Sequence, residues 1–160
     1  MKPAENIDLE KIWTTIKQLD FFDNFLRSEK QRILEFHSHF IMYEKDETII
    51  QEGLNDNAFY ILLAGSVSIT KNMGNQQVEI AQIQPGDIFG EISFLTNTLR
   101  TSNVISNEKS LVIMVDKLFL EKLTPEIREK LKDRIIEKLI NRLDKMNNAF
   151  VKLSYLSGFG

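Results

Sequence analysis

The hydrophobic period of this chain changes twice, and that double change limits its possible folds more than any other feature. Over residues 7–37 the apolar positions recur at helical spacing, with Leu9, Ile12, Trp13, Ile16 and Leu19 on one face. Between about 38 and 117 the pattern breaks into short runs rich in β-branched and aromatic residues: FIMYE, ETIIQEG, NAFYILLAG, SVSITKN, QQVEIAQI, TSNVISN and SLVIMVDK. Turn signals KDE, LNDN, NMGN, QPGD and SNEK divide them. SVSIT and VEIAQI alternate apolar with polar, which predicts strands with one buried face. From Leu118 helical spacing returns.

Local signals sharpen the flanks. SEKQ at Ser28 has the form of a capping box and predicts a short helix from there, with Ile33, Leu34 and Phe36 as its apolar positions. LFLEKL reads as another short helix. TPEI then supplies Thr124 as N-cap, Pro125 in the first helical position and Glu126 in the first turn. Ile127, Leu131, Ile135, Leu139, Leu143, Met146 and Phe150 follow, with Ile136 and Ile140 widening the stripe. A helix from about 125 to 152 would be about 40 Å long, more than a small β-domain needs to cover its core. A partner helix is the usual reason. The fold class expected is α+β: an antiparallel β jelly-roll (double-stranded β-helix) flanked by short N-terminal helices and a long C-terminal helix. One domain over 1–160 is expected, with helices in 1–37, the β-roll in 38–117 and C-terminal helices in 118–155.

Composition narrows the function. With 42% hydrophobic and 27% charged residues the chain can bury a sizeable core, and its net charge of -3 gives no support to a nucleic-acid or anionic-membrane surface. The absence of cysteine excludes disulfides, thiolate metal sites and cysteine nucleophiles. MKPAENIDLEK has no apolar signal core, and no apolar run approaches the roughly 20 residues that span a bilayer. A soluble, cytoplasmic protein is expected.

The chemistry concentrates in FGEISFLTNTLRTS, residues 89–102. Gly90 would let backbone approach a ligand closely. A helical turn from Glu91 would present the N–H groups of Ile92 and Ser93, an anion site that needs no charged side chain. Arg100, nine residues after Glu91, can add a bidentate guanidinium to a phosphate. Glu91 only accepts, so its natural partner beside a phosphate is a sugar hydroxyl. The plainer alternative is a Glu91–Arg100 surface pair, worth ~0–1 kcal/mol.

Phe89-Gly90-Glu91-Ile92-Ser93-Phe94 followed by Arg100-Thr101-Ser102 resembles the phosphate-binding cassette of the cyclic nucleotide-binding domain family, F-G-E-x-[AS]-x, a spacer, then R-[AST]-[AST]. The upstream stretch IIQEGLNDNAFYILLAGSVSI is similar to the first half of that family's domain. The third zone looks like the dimerising helix of catabolite-activator-type sensors. The resemblance spans about 20–151 and departs inside the cassette only at Leu99, where many members carry proline.

It implies ligand-binding roles for Gly90, Glu91, Ile92, Ser93, Arg100, Thr101 and Ser102. Glu91 would take the ribose 2′-hydroxyl, Arg100 and the N–H groups of Ile92 and Ser93 the cyclic phosphate, and Thr101 the phosphate or a guanine amino group. Met146, Asn147 and Phe150 fall where the family places a lid over the base; helix-interface packing is their alternative reading. Threonine after the arginine occurs both in cyclic-GMP-binding kinases and in channels that prefer cyclic AMP, so the base stays open.

The expected function is a cyclic nucleotide (cAMP or cGMP) sensor that relays binding through its C-terminal helix to an unidentified downstream protein. It would act without catalysis and without a cofactor other than that ligand, as a homodimer through 125–152, and would contact neither nucleic acid nor membrane. The alternatives are an interaction or dimerisation module with a degenerate pocket, and the sensor fragment of a transcription regulator. About ten residues follow Phe150, too few for a helix-turn-helix, and the charges of 126–145 alternate in sign, as on a solvated helix surface.

His37, His39 and Glu44 imitate the H-x-H-x4-E metal motif of cupins, but a third histidine is needed and the chain has two. No G-x-S-x-G exists for a nucleophile. Asp87, a possible second carboxylate beside Glu91, belongs to the QPGD turn and is expected to bond its own backbone. No metal site is expected.

Overall fold

The computed structural model describes residues 2–3 and 8–158. Two antiparallel sheets face each other as a jelly roll. The larger contains β1 (Lys2–Pro3), β2 (Phe40–Tyr43), β4 (Ala58–Ala64), β7 (Ile88–Phe89) and β9 (Ser110–Asp116), in the order β1-β2-β9-β4-β7. The smaller contains β3 (Thr48–Ile50), β5 (Val67–Met73), β6 (Gln76–Ile83) and β8 (Asn103–Ser106), in the order β3-β8-β5-β6. Around them lie α1 (Leu9–Gln18), α2 (Arg27–Leu34), α3 (Glu91–Thr96), α4 (Lys117–Lys122) and α5 (Pro125–Leu156). The expected fold class is the observed one.

β4 shows why AFYILLA is buried at every position until the exposed Ala64 at its end. Its alternate side chains enter two different cores. Tyr60 and Leu62 point between the sheets with Val67, Phe89, Val104 and Val112. Phe59, Ile61 and Leu63 point the other way, onto a helical layer built from Ile12 and Ile16 of α1, Ile33 of α2 and Ile127, Leu131 and Ile135 of α5. β9 alternates in the same manner, with Leu111, Ile113 and Val115 toward the helices and Val112 toward the roll. The larger sheet thus fixes the base of α5 relative to the roll.

Four expectations need correction. The Ser28 capping box does not form: α2 begins at Arg27 with Leu26 as N-cap, and Glu29 accepts from the Leu26 N–H at 2.8 Å. A carboxylate one turn in does the capping alone, so the hydroxyl at 28 has no role. The alternation in VEIAQI gives no buried face, because β6 is the outer strand of the smaller sheet; Val78 and Ile80 are exposed and only Ile83 is buried. The apolar stripe of α5 divides in two. Ile127, Leu131 and Ile135 pack on the chain's own core, whereas Ile136, Ile140, Leu143, Met146 and Phe150 are all more than half exposed. Leu9, expected on the buried face of α1, is also exposed.

The base of α5 is further tied by polar bonds. Lys130 pairs with the buried Glu29 of α2, and Arg134 donates from Nε to the Phe21 carbonyl at 2.8 Å. No helix among the described residues is long and apolar enough to cross a membrane. Nor does any group of histidines and carboxylates among them have the arrangement of a metal site. His39 is buried, with Nδ1 3.0 Å from the Met114 carbonyl oxygen and its ring 4.9 Å from Phe119.

Candidate functional site

β7 pairs with the centre of the larger sheet, Phe89 opposite Tyr60, and delivers the chain to Gly90. There the backbone turns left-handed, at φ 77°, and α3 starts. A side chain could not follow. A Cβ on Gly90 would lie 2.8 Å from Ile50 Cδ1 and 2.9 Å from Arg100 Nη1. Glycine is therefore demanded twice, by conformation and by the closeness of the arginine. Because glycine offers no capping side chain, the first-turn N–H groups of α3 are not taken by one.

Arg100 is the floor of the site. The turn at 53–54 clasps its backbone: Gly53 N–H donates to the Arg100 carbonyl at 2.8 Å, and Arg100 N–H to that of Leu54 at 2.9 Å. The side chain is 2% exposed. Nη1 donates to the Gly90 carbonyl at 2.7 Å and to Ser93 Oγ at 2.6 Å. Nη2 donates to the Asp56 carboxylate and the Ala58 carbonyl. Nε is buried with no partner among the described residues. An unmet buried donor costs about 1–3 kcal/mol, more on a charged group. Tyr60, stacked on Phe89 at 5.1 Å, borders this charge. Burial pushes its phenol up to about 12, the Asp56 carboxylate adds to that, and Arg100 opposes it.

Glu91 is buried, yet it does not pair with Arg100. Its carboxylate accepts from Nη1 of Arg142, a residue of α5. Nη2 of the same guanidinium donates to Asp87 Oδ1 at 2.9 Å and to the Ile88 carbonyl. Asp87 also accepts from the Ile88 N–H at 2.8 Å, the local bond expected of a turn aspartate. The plainer Glu91–Arg100 pair is thus not the arrangement found.

These groups surround a cleft of about 200 Å³. Gly90, Glu91, Ile92, Ser93, Arg100, Thr101 and Ser102 all line it. The remaining wall is apolar, from Ile50 of β3, Ile69 of β5, Ile80 of β6 and Val104 of β8, with Arg142 closing one side. The lining thus combines the Arg100 guanidinium, the start of α3, the Arg142-paired carboxylate of Glu91 and a hydrocarbon surface. Met146, Asn147 and Phe150 do not line the cleft; they are exposed farther along α5.

Sequence reasoning missed Asp56 and Arg142. Asp56 lies in LNDN, legible as an acidic turn but not as the counter-ion of an arginine 44 residues away. Arg142 lies in a run of alternating charge that reads as solvated surface. Nothing local marks it as the residue that turns inward.

The fold and site are those of a jelly roll whose loop between β7 and β8 sets a short helix start and a buried arginine beside an apolar-walled cleft. The profile of the cyclic nucleotide-binding domain matches residues 40–125, more than half of the chain, and the chain belongs to that family. Over 75 residues it is 32% identical to human cGMP-dependent protein kinase 2, a stretch that covers 46% of this chain and 10% of the kinase. The chain thus spans about a tenth of that relative's length. Among solved structures it resembles a cyclic nucleotide-binding domain from Methylobacillus flagellatus, with a TM-score of 0.69 and 19% identity over 90% of this chain and 83% of that one. It also resembles the Thermus thermophilus catabolite activator protein, with a TM-score of 0.68 and 21% identity over 84% of this chain and 63% of that one.

Proposed function

We propose that the cleft binds a cyclic purine mononucleotide reversibly and that α5 carries the event to a partner protein. The observation that carries this reading is Arg100, a guanidinium buried against the cleft with Nε unmet. Asp56 already supplies one carboxylate to its Nη2, so the buried, unmet Nε is the donor left for a second anion, and an unmet donor on a buried charge is costly. A cyclic phosphodiester has the single charge and two exocyclic oxygens for that position. The N–H groups of Ile92 and Ser93 supply further donors to it, and Thr101 and Ser102 offer hydroxyls beside it. The ribose 2′-hydroxyl bonds Glu91, and the purine lies on Ile50, Ile69, Ile80 and Val104.

Relay follows from Arg142. A ligand that bonds Glu91 acts on the carboxylate that holds α5, so occupancy changes how firmly the helix is held. Met146, Asn147 and Phe150 are placed to cover the base if α5 bends inward over it. Leu139 still packs on the chain's own core, whereas the exposed Ile136, Ile140, Leu143, Met146, Phe150 and Leu153 recur at three- and four-residue steps, the spacing of a two-stranded coiled-coil seam. A second copy of the chain is its proposed occupant, with the seam starting at 136 rather than 125.

Titration calorimetry with cyclic AMP, cyclic GMP and uncyclised 5′-AMP tests the reading. Saturable heat with either cyclic nucleotide, and much weaker binding of 5′-AMP, is the expected outcome, and the ratio of the two cyclic ligands gives the base preference. A second reading is favoured by the Arg142–Glu91 pair itself: an interaction module whose cleft is stoppered by its own helix. Absence of heat with both cyclic ligands selects that reading. Sedimentation of the wild type against Leu143→Glu tests the seam.

A further inference from the structure

The chain's single tryptophan stands among cations on the N-terminal helices. Trp13 of α1 is half-buried. Lys17 Nζ lies 5.6 Å from its ring centroid and the Arg27 guanidinium carbon 5.9 Å away. With Lys30 of α2 these residues enclose a cavity of about 170 Å³ that shares no residue with the nucleotide cleft. None of the three cations has an ion-pair partner among the described residues, in contrast to Lys130 and Arg134 on the neighbouring α5. Exposed leucines flank the cluster: Leu9 one turn before Trp13 on α1, and Leu26 next to Arg27.

Like charges gathered on one aromatic repel each other, and an incoming anion relieves that repulsion. The local surplus of three positive charges also stands against a whole-chain charge of -3. That balance disfavours an extended polyanion such as nucleic acid or an anionic bilayer, because the rest of the surface would repel it. A short ligand able to use only this spot escapes the repulsion. Trp and Arg are the side chains most enriched at the energetic centres of protein interfaces, where a large ring and a planar cation meet a partner side chain.

We propose that Trp13, Lys17, Arg27 and Lys30 form a docking site for an acidic protein segment with an apolar anchor. The anchor packs on the Trp13 ring and the flanking leucines, while carboxylates or phosphates of the segment pair with the three cations. The site is independent of nucleotide binding.

Trp13 supplies its own signal, since no other tryptophan contributes emission. The probe is an acidic octapeptide of Asp and Glu with one Phe and one Leu, titrated against the whole chain while Trp13 emission is followed. We expect a saturable change in the tens of micromolar at low salt, weakened about fivefold or more between roughly 50 and 300 mM salt. The amidated counterpart, with Asn and Gln in place of the acids, should not bind. Arg27→Glu with Lys30→Glu should abolish binding with the circular dichroism spectrum unchanged, and Lys17→Ala should weaken it. No saturable change with the acidic peptide, or equal binding by the charge-reversed variant, overturns the proposal. So does a preference for phosphatidylserine vesicles over the peptide, which would make the patch a membrane contact. A self-association that quenches Trp13 without peptide would assign the site to a second copy and equally end it.

Discussion

Arg142 and Glu91, 51 residues apart in sequence, form a direct ion pair between the long C-terminal helix and the first residue of α3. The carboxylate side chain is 6% exposed and the guanidinium 29%. The pair is therefore largely shielded on the carboxylate side and screened on the other. The same guanidinium also holds Asp87 and the Ile88 carbonyl, so one α5 side chain ties both sides of the β7–α3 corner.

If a ribose hydroxyl must use Glu91, the arginine competes for the carboxylate's acceptor capacity. We expect Arg142→Gln to increase the advantage of cyclic AMP over 2′-deoxy cyclic AMP, by about tenfold if one bond to a charged group is gained, ~1.4 kcal/mol. Without nucleotide, the same substitution should speed amide exchange in residues 136–156 and leave 110–135 unchanged, because Ile127, Leu131 and Ile135 still anchor the helix base. Calorimetry and exchange read the two effects separately. An unaltered ribo/deoxy ratio would show that the arginine and the ribose do not share Glu91.

Arg100→Ala should weaken cyclic nucleotide binding by about 2–5 kcal/mol, the cost of leaving a buried charge without its partner. Arg100→Lys is the more informative change. Lysine keeps the charge but lacks the planar fork that reaches Gly90, Ser93, Asp56 and Ala58 together. Binding by the lysine variant close to the wild-type level would mean that charge alone matters, and the geometric account of the floor would fail.

Gly90→Ala tests the corner without touching a charged group. The residue must hold φ 77°, and its Cβ would approach Ile50 Cδ1 and Arg100 Nη1 to under 3 Å. Strain of ~1–3 kcal/mol is expected, with Arg100 displaced in the relaxed variant. Urea denaturation should show the lost stability and calorimetry a larger proportional loss of affinity. Full stability in the variant would contradict the geometry.

The roll was legible because its runs of β-branched residues stop at turn residues, and the long helix because Thr124-Pro125-Glu126 begins it and its apolar spacing continues. The cassette was legible because Gly90, Glu91 and Arg100 lie within eleven residues of chain, where local spacing carries the geometry. What escaped depends on partners distant in sequence. The inward turn of Arg142 onto the buried Glu91 arises only once α5 packs across the larger sheet, and the counter-ion Asp56 only once the turn after β3 closes on Arg100. Leu26 as a cap escaped for a different reason: Glu29 supplies the acceptor, and the identity of the N-cap residue no longer matters.

Glu29 and Lys130 give the fold a definite response to acid. Burial, the largest single influence on Glu29, raises its pKa, but the bonds from Lys130 and the Leu26 N–H together outweigh it and hold the carboxyl below its ordinary 4.5. A carboxyl that is more acidic folded than unfolded stabilises the fold fully above the unfolded pKa, and the contribution fades as pH falls through the folded value. Lys130→Met removes the largest of the lowering influences and leaves the burial. Its stability deficit should be greatest at neutral pH and shrink as the pH falls through the lowered pKa of the wild-type carboxyl, below which Glu29 is protonated in both proteins. The acid-unfolding midpoint should therefore move to higher pH. Lys132→Met serves as the control, since Lys132 and Glu129 pair with both side chains more than half exposed, and such pairs contribute little. Urea midpoints measured at several pH values decide the matter. Parallel curves for Lys130→Met and wild type would show that the α2–α5 pair contributes no pH-dependent stability.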